Sequence, residues 1–193
     1  MSPDTSLVMV PSWHHGYPQP ANNSGYLQAT YDLTSYCACG TGARQNGPFR
    51  VKSAPRWGRR TILQLNWVYD EYFVPPEVWV SVFEPFGVNK RPVVLHSSGK
   101  ELDSMVQLVV GQDVEVDTKG VPQKTCPFRQ CSEVKHFPKV GKRFPAPTES
   151  VSSMARSIQY FHDSAFHVVY TSMALYARIH ASGLRGVEFD VCG

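Results

Sequence analysis

The sequence is short of charge, of long apolar runs and of catalytic signatures, and each shortage narrows what the chain does. Only 18% of its 193 residues are charged, below the usual quarter or so for globular domains. A sparse charge coat leaves neutral surface for a partner. The net charge of +3 and the pI near 8.6 fall well short of a typical nucleic-acid-binding domain. The cations are scattered as well. The densest groups are Arg56, Arg59 and Arg60 around Trp57, and Lys135, Lys139, Lys142 and Arg143; solvated positive charge is the simpler reading of both. No apolar run approaches the ~20 residues of a membrane-spanning helix. The opening MSPDTSLVMVPSWHHGYPQP has neither the positive n-region nor the apolar h-region of a secretory signal. These features predict a soluble cytoplasmic protein. No HExxH and no nucleophile elbow surrounds any histidine or serine. His162 and His167, with Asp163 and Ser164, hold the ingredients of acid–base or nucleophilic chemistry, but structural or surface roles are the plainer reading. The expectation is a protein that binds and is not an enzyme.

What is present points to a packed domain. Hydrophobic content is 42% and aromatic content 12%, which excludes a disordered or low-complexity chain, and the length suits one domain. No internal repeat is visible. Residues 1–24 are rich in Pro, Asn, Ser and His without periodicity and read as an irregular arm, with His14 and His15 as a solvated pair. Residues 25–193 read as a single α+β domain: a mixed sheet, a few short helices and zinc-knuckle-like loops. The run 61–69 predicts a strand, carrying Ile62, Leu65, Trp67 and Tyr69. Pro75-Pro76 opens a helix of about two turns that stops at Pro85 and Gly87. Strands are expected at 92–96, 105–110 and 114–116, with Gly111 as an interruption or a break, and a short helix or turn at 154–161. The C-terminal pattern is the clearest: a strand at 167–170, an N-cap at Thr171 or Ser172, a helix over 173–181 with Leu175 and Ile179 on one face, Gly183 as its left-handed stop, and a last strand over 186–191.

Asp70 and Glu71 are adjacent carboxylates. On a strand they point to opposite faces, so they form no acid–base pair and read as an acidic edge for a basic partner. Tyr72 and Phe73, beside these acids and a double proline, are expected to be partly exposed and to join Asp70 and Glu71 in a partner-binding patch. The other aromatics of this region, such as Trp79, Phe83 and Phe86, read as core.

The strongest chemical logic lies in two close cysteine pairs, Cys37/Cys39 and Cys126/Cys131. In a reducing compartment paired thiols suggest metal binding before disulfides, and an odd total of five cysteines fits a disulfide framework poorly. Four thiolates from two loops can surround one tetrahedral Zn²⁺ as a structural site. Paired zinc ligands usually have two to four residues between them; the second pair has four and the first only one. The alternative is that all four are reduced, half-buried cysteines acting as small apolar groups. Neither pair is the CxxC of a redox helix. His136 is a further candidate ligand, and Cys192 reads as a bystander. If zinc is bound, the arginines and the lysines beyond Cys131 also allow a zinc-ribbon-like nucleic-acid-binding protein.

Several stretches, read in order, carry a resemblance: CACG; YFVPPEVWVSVFEPFGV followed by RPVVL; LDSMVQLVV; TCPFRQCSEVKHFPKVGKRFPAP; and QYFHDSAFHVVYTSMALYARIHASGLRGVEF. From about Gly25 onward the chain resembles the double-CxxCG motif immunity proteins found beside polymorphic toxins in bacteria. Both motifs depart from that pattern: Cys37/Cys39 lacks one spacer residue, and Cys126/Cys131 has two extra and is followed by Ser132 in place of glycine. The resemblance implies a protein of interbacterial competition. Such a protein binds a cognate toxin, encoded by an adjacent gene, and neutralises it.

Overall fold

The computed structural model describes residues 6–12, 25–65 and 68–193. Two five-stranded sheets carry the fold. The first runs, in spatial order, Val187–Val191, Ser6–Pro11, Val169–Ser172, Met154–Ser157 and Gln112–Val114. The second runs Phe49–Val51, Asn89–Leu95, Glu101–Val109, Val68–Val74 and Leu63–Leu65. Helices are few and short, so the fold is α+β, as expected, and the C-terminal strand–helix–strand is present. None of the described helices is long and apolar enough to cross a membrane.

Strand alternation builds three cores. Met9, Met154 and Val169 of the first sheet meet Tyr72, Val74, Val106 and Leu108 of the second, with Phe83, Leu175 and Ile179 from the helices. The alternate residues Val8, Ala155 and Tyr170 enter a core on the far side of the first sheet. Phe49, Phe73, Val93 and Met105 do the same for the second. Both sheets are therefore apolar on both faces, which is why their strands read as poor alternators. The Tyr72 hydroxyl donates to the Met9 carbonyl at 2.6 Å and ties the sheets together.

Several expectations need correction. Ser6–Pro11, expected in the irregular arm, is an interior strand paired with Val169–Ser172 and Val187–Val191. Its partners lie more than 160 residues away, so no local pattern marks it; the pair His14-His15 lies outside the described residues. The run expected as one strand over 61–69 is two, Leu63–Leu65 and Val68–Val74, paired antiparallel; Trp67 lies outside the described residues. Residues 154–161 are extended, not helical: Met154–Ser157 pairs on both sides and Tyr160–Phe161 joins a third, three-stranded sheet. The break at Gly111 is real and separates strands of different sheets, because Glu101–Val109 belongs to the second and Gln112–Val114 to the first.

The helical reading of the double-proline segment holds. Pro76 opens a turn of α-helix, a π turn covers Trp79–Phe83, and Gly87 at φ 72° ends it. At Met173–Ala181 the Ser172 hydroxyl accepts from the Leu175 N–H at 3.3 Å. Gly183, at φ 65°, lets the Gly183 and Leu184 N–H groups reach the carbonyls of His180 and Ile179, the paired bonds of a Schellman stop.

Candidate metal centre and adjoining cleft

The first cysteine pair sits in a tight turn. Cys37 N–H donates to the Thr41 carbonyl at 2.9 Å and Gly40 N–H to the Cys37 carbonyl at 2.8 Å. This curl brings both sulfurs to one side despite the single spacer residue. Gly42, at φ 86°, is needed here: a Cβ on it would lie 2.0 Å from the Ser35 carbonyl oxygen. The second pair occupies a hairpin loop. Gln123–Thr125 pairs antiparallel with Val134–His136, and Cys126 N–H extends that ladder to the Glu133 carbonyl at 2.9 Å. Within the loop, Cys131 N–H donates to the Phe128 carbonyl at 2.9 Å.

The four sulfurs of Cys37, Cys39, Cys126 and Cys131 lie within 4.8 Å of one another. Across the two loops, Cys37 Sγ is 3.6 Å from Cys126 Sγ, and Cys39 Sγ is 3.9 Å from Cys131 Sγ. A tetrahedral ion with metal–sulfur bonds of about 2.3 Å requires sulfurs about 3.8 Å apart. The donor set can therefore hold a metal ion. The site is also built to accept negative sulfur. Cys39 N–H donates to Cys37 Sγ and Phe128 N–H to Cys126 Sγ, and a hydrogen bond to the charged form favours it. Desolvation acts upward on the Cys39 thiol. Hydrogen bonds from the Thr41 hydroxyl and from the Thr41 backbone, with smaller ones from neighbouring sulfurs, outweigh it and bring the thiol down to about 6. Desolvation pushes Cys126 up to about 12. The Cys39 thiolate thus forms readily, while Cys126 resists ionising beside it, and a divalent cation would remove that resistance.

Lys135 braces the turn. Its ammonium donates to the Cys39 carbonyl and, at 2.7 Å, to the Asp163 carbonyl, so this member of the second basic cluster has an internal role. His136 is not among the grouped ligands. It is buried, its ring against Phe161 at 5.8 Å between centroids. Cys192 lies apart and donates to the Ser6 carbonyl at 3.2 Å, with burial pushing its thiol up to about 11.

Beside this turn the two sheets part to leave a cleft of about 640 Å³. Its position follows from the strand switch around Gly111 and from an irregularity opposite it. Leu63, Gln64 and Leu65 pair with Phe73, Tyr72 and Val68, so Tyr69, Asp70 and Glu71 are three extra residues in a bulge. A bulge re-aims side chains. Asp70 and Glu71 therefore line the same cleft, where strict alternation predicts opposite faces. Glu71 is half-buried and accepts a hydrogen bond from Gln107 at 2.5 Å. Gln107 in turn exchanges two 2.7 Å bonds with Gln45. Asp70 Oδ2 accepts from the His167 N–H at 3.0 Å. Opposite, Arg156 pairs with Asp113 at 2.6 Å. Arg91, Gln107 and Arg156 escaped the sequence reading because each is an ordinary polar residue in its own strand. Only the crossing of the sheets gathers them.

The expected exposure of Tyr72 and Phe73 is overturned. Tyr72 is 1% exposed and Phe73 0%. They lie on opposite faces of a strand that is covered on both sides, so neither can touch a partner. His162 stacks on Phe166 at 5.6 Å, with Phe137 and Phe144 edge-on. The His167 ring lies 4.5 Å from that of Tyr160 and places Nδ1 2.7 Å from the Ser157 carbonyl oxygen.

Burial, reinforced by the neighbouring Asp70, pushes the Glu71 carboxyl up to about 8. The folded protein therefore keeps this proton through a range in which the unfolded chain has lost it. Stability from this group is full below the ordinary glutamate value of 4.5, falls as pH rises toward about 8, and levels off above. Glu71→Gln keeps an acceptor for Gln107 and removes the penalty. Urea unfolding is expected to show the variant about 1–3 kcal/mol more stable than the native protein near pH 9, and nearly equal near pH 5, after allowance for screening by water in the cleft. An equal change at both pH values would contradict the buried acid.

No protein-family model matches the chain, and no curated protein matches it.

Proposed function

We propose that the protein is an immunity-type binder that neutralises a cognate toxin by forming a stoichiometric complex, on a scaffold tied together by one Zn²⁺ ion. The observation that carries this reading is the convergence of the two cysteine pairs. They lie almost ninety residues apart in sequence, and their sulfurs meet in one group. The resemblance implies paired cysteines as a family mark, and the altered spacings are accommodated by the curl at Gly40 and the longer hairpin loop. Four sulfurs in tetrahedral reach favour zinc among the abundant divalent metals, and we place the protein in the cytoplasm, where thiols stay reduced.

On this reading the metal holds the scaffold and the toxin docks elsewhere. With Tyr72 and Phe73 in the core, contact falls to surface groups. The net charge of +3 opposes wholesale mimicry of nucleic acid, so a nuclease toxin would be met outside its nucleic-acid groove or through a local acidic patch. The test is co-expression with the toxin encoded by the adjacent gene, joined to a pull-down of the two products. Rescue of growth with a one-to-one complex supports the proposal. Full toxicity in the presence of folded protein, with no complex, contradicts it.

A further inference from the structure

The cleft between the sheets has no part in the metal chemistry or in the toxin-binding reading. Its volume of about 640 Å³ lies in the range of sites that hold small organic ligands. Its walls are polar, and the hydrogen-bonding capacity left on them has a direction.

Arg156 spends Nε on Asp113, and its two terminal amino groups have no partner among the described residues. Arg91 has no ion pair or side-chain hydrogen bond there at all. The Tyr160 oxygen accepts from the Gly42 N–H at 3.1 Å, so the hydroxyl proton remains to be donated. Arg91 and Arg156 line the same cleft as Glu71. Glu71 itself has one oxygen occupied by Gln107, and burial favours its neutral form, which donates and does not repel an anion. On the acceptor side, Asp70 gives Oδ2 to His167 and Asp113 is held by Arg156. The uncommitted donors of the cleft thus include two charged guanidinium groups, beside the second oxygens of Asp70 and Asp113. The fork of a guanidinium matches a carboxylate or a phosphate through paired N–H groups.

We propose that this cleft binds a small organic anion, whose carboxylate or phosphate group lies between Arg91 and Arg156 with Tyr160 as a third donor. The cleft and the metal centre share a wall. Gly42, which fixes Tyr160, follows directly on the turn that holds Cys37, Cys39 and Thr41, and Gly40 and Gly42 both line the cavity. Anion binding is therefore expected to weaken when the metal is removed.

The experiment is calorimetric titration of the metal-loaded protein with inorganic phosphate, succinate and adenosine monophosphate in turn. Saturable one-to-one binding by at least one is expected, and which of them binds separates a phosphate group from a carboxylate. Arg91→Gln is expected to weaken binding by about tenfold or more, the usual worth of a charged hydrogen bond. Arg91 makes no ion pair among the described residues, so a fold check by circular dichroism should be unchanged and the loss belongs to the ligand. Arg156→Gln should act in the same direction. Absence of saturable binding by all three probes at millimolar concentration overturns the proposal. So does binding that survives at native strength in a folded Arg91→Gln protein. Neither outcome bears on toxin neutralisation, which is read by growth.

Discussion

With the proposed zinc in place, chelation is expected to lower the stability of the protein by about 4 kcal/mol, the linkage for an ion held at a thousand times its dissociation constant. The loss should be uneven. Gln123–Thr125 is exposed at all three residues, and the hairpin it forms with Val134–His136 has little apolar burial to hold it. The sulfur cluster, with the Lys135 ammonium on the Cys39 carbonyl, ties that hairpin to the turn at Cys37. Amide exchange of residues 123–135 should therefore quicken by about tenfold or more on chelation, while Met173–Ala181, anchored by Leu175 and Ile179 in the central core, stays protected. Cys39→Ser and Cys126→Ser should reproduce the effect. Cys192→Ser should not, since Cys192 lies outside the cluster. Uniform quickening across the chain, or none in the hairpin, would show that the cluster does not brace these loops.

Phe73→Ala is expected to cost about 3–5 kcal/mol, the range for removing a buried aromatic ring. Phe73 is 0% exposed and meets Phe49 edge-on at 5.3 Å, within the core that also holds Val93 and Met105. Truncation leaves a cavity among residues that cannot all collapse into it. Tyr69→Ala, at the first residue of the bulge and 42% exposed, should by contrast change stability by no more than about 0.5 kcal/mol. Denaturant unfolding of both variants decides the matter. A small effect at Phe73 would restore it as a candidate contact residue, and the location of the docking surface would have to be redrawn.

These two residues also show where the sequence stops being legible. Phe73 and Tyr69 belong to one strand, and composition treats them alike. Their fates diverge because the second sheet is covered on both faces while the bulge at Tyr69–Glu71 leaves the ladder, and neither fact has a local signal. The same limit hides Ser6–Pro11, whose pairing depends on strands at the other end of the chain. Elements governed by local rules were readable almost to the residue: the Ser172 cap, the helix Met173–Ala181, the stop at Gly183 and the end of the double-proline helix at Gly87. The cysteine centre lies between these extremes. Thiol chemistry marks the four cysteines, while a one-residue spacer argues against the convergence that the curl around Gly40 permits. The cleft was not legible at all. Asp70 and Glu71 were visible, but strand alternation sent them apart, and Arg91, Gln107 and Arg156 become neighbours only through the crossing of two sheets.

The central claim is that Cys37, Cys39, Cys126 and Cys131 hold one metal ion between them. Elemental analysis of protein purified without chelators or affinity metals tests it most directly, with cobalt substitution to report the ligands. One zinc per chain, and a cobalt form whose absorption shows four sulfur ligands that fall to three in Cys39→Ser, is the expected result. Less than ~0.2 zinc per chain in folded protein would contradict it, because zinc held by four thiolates is retained through gentle purification.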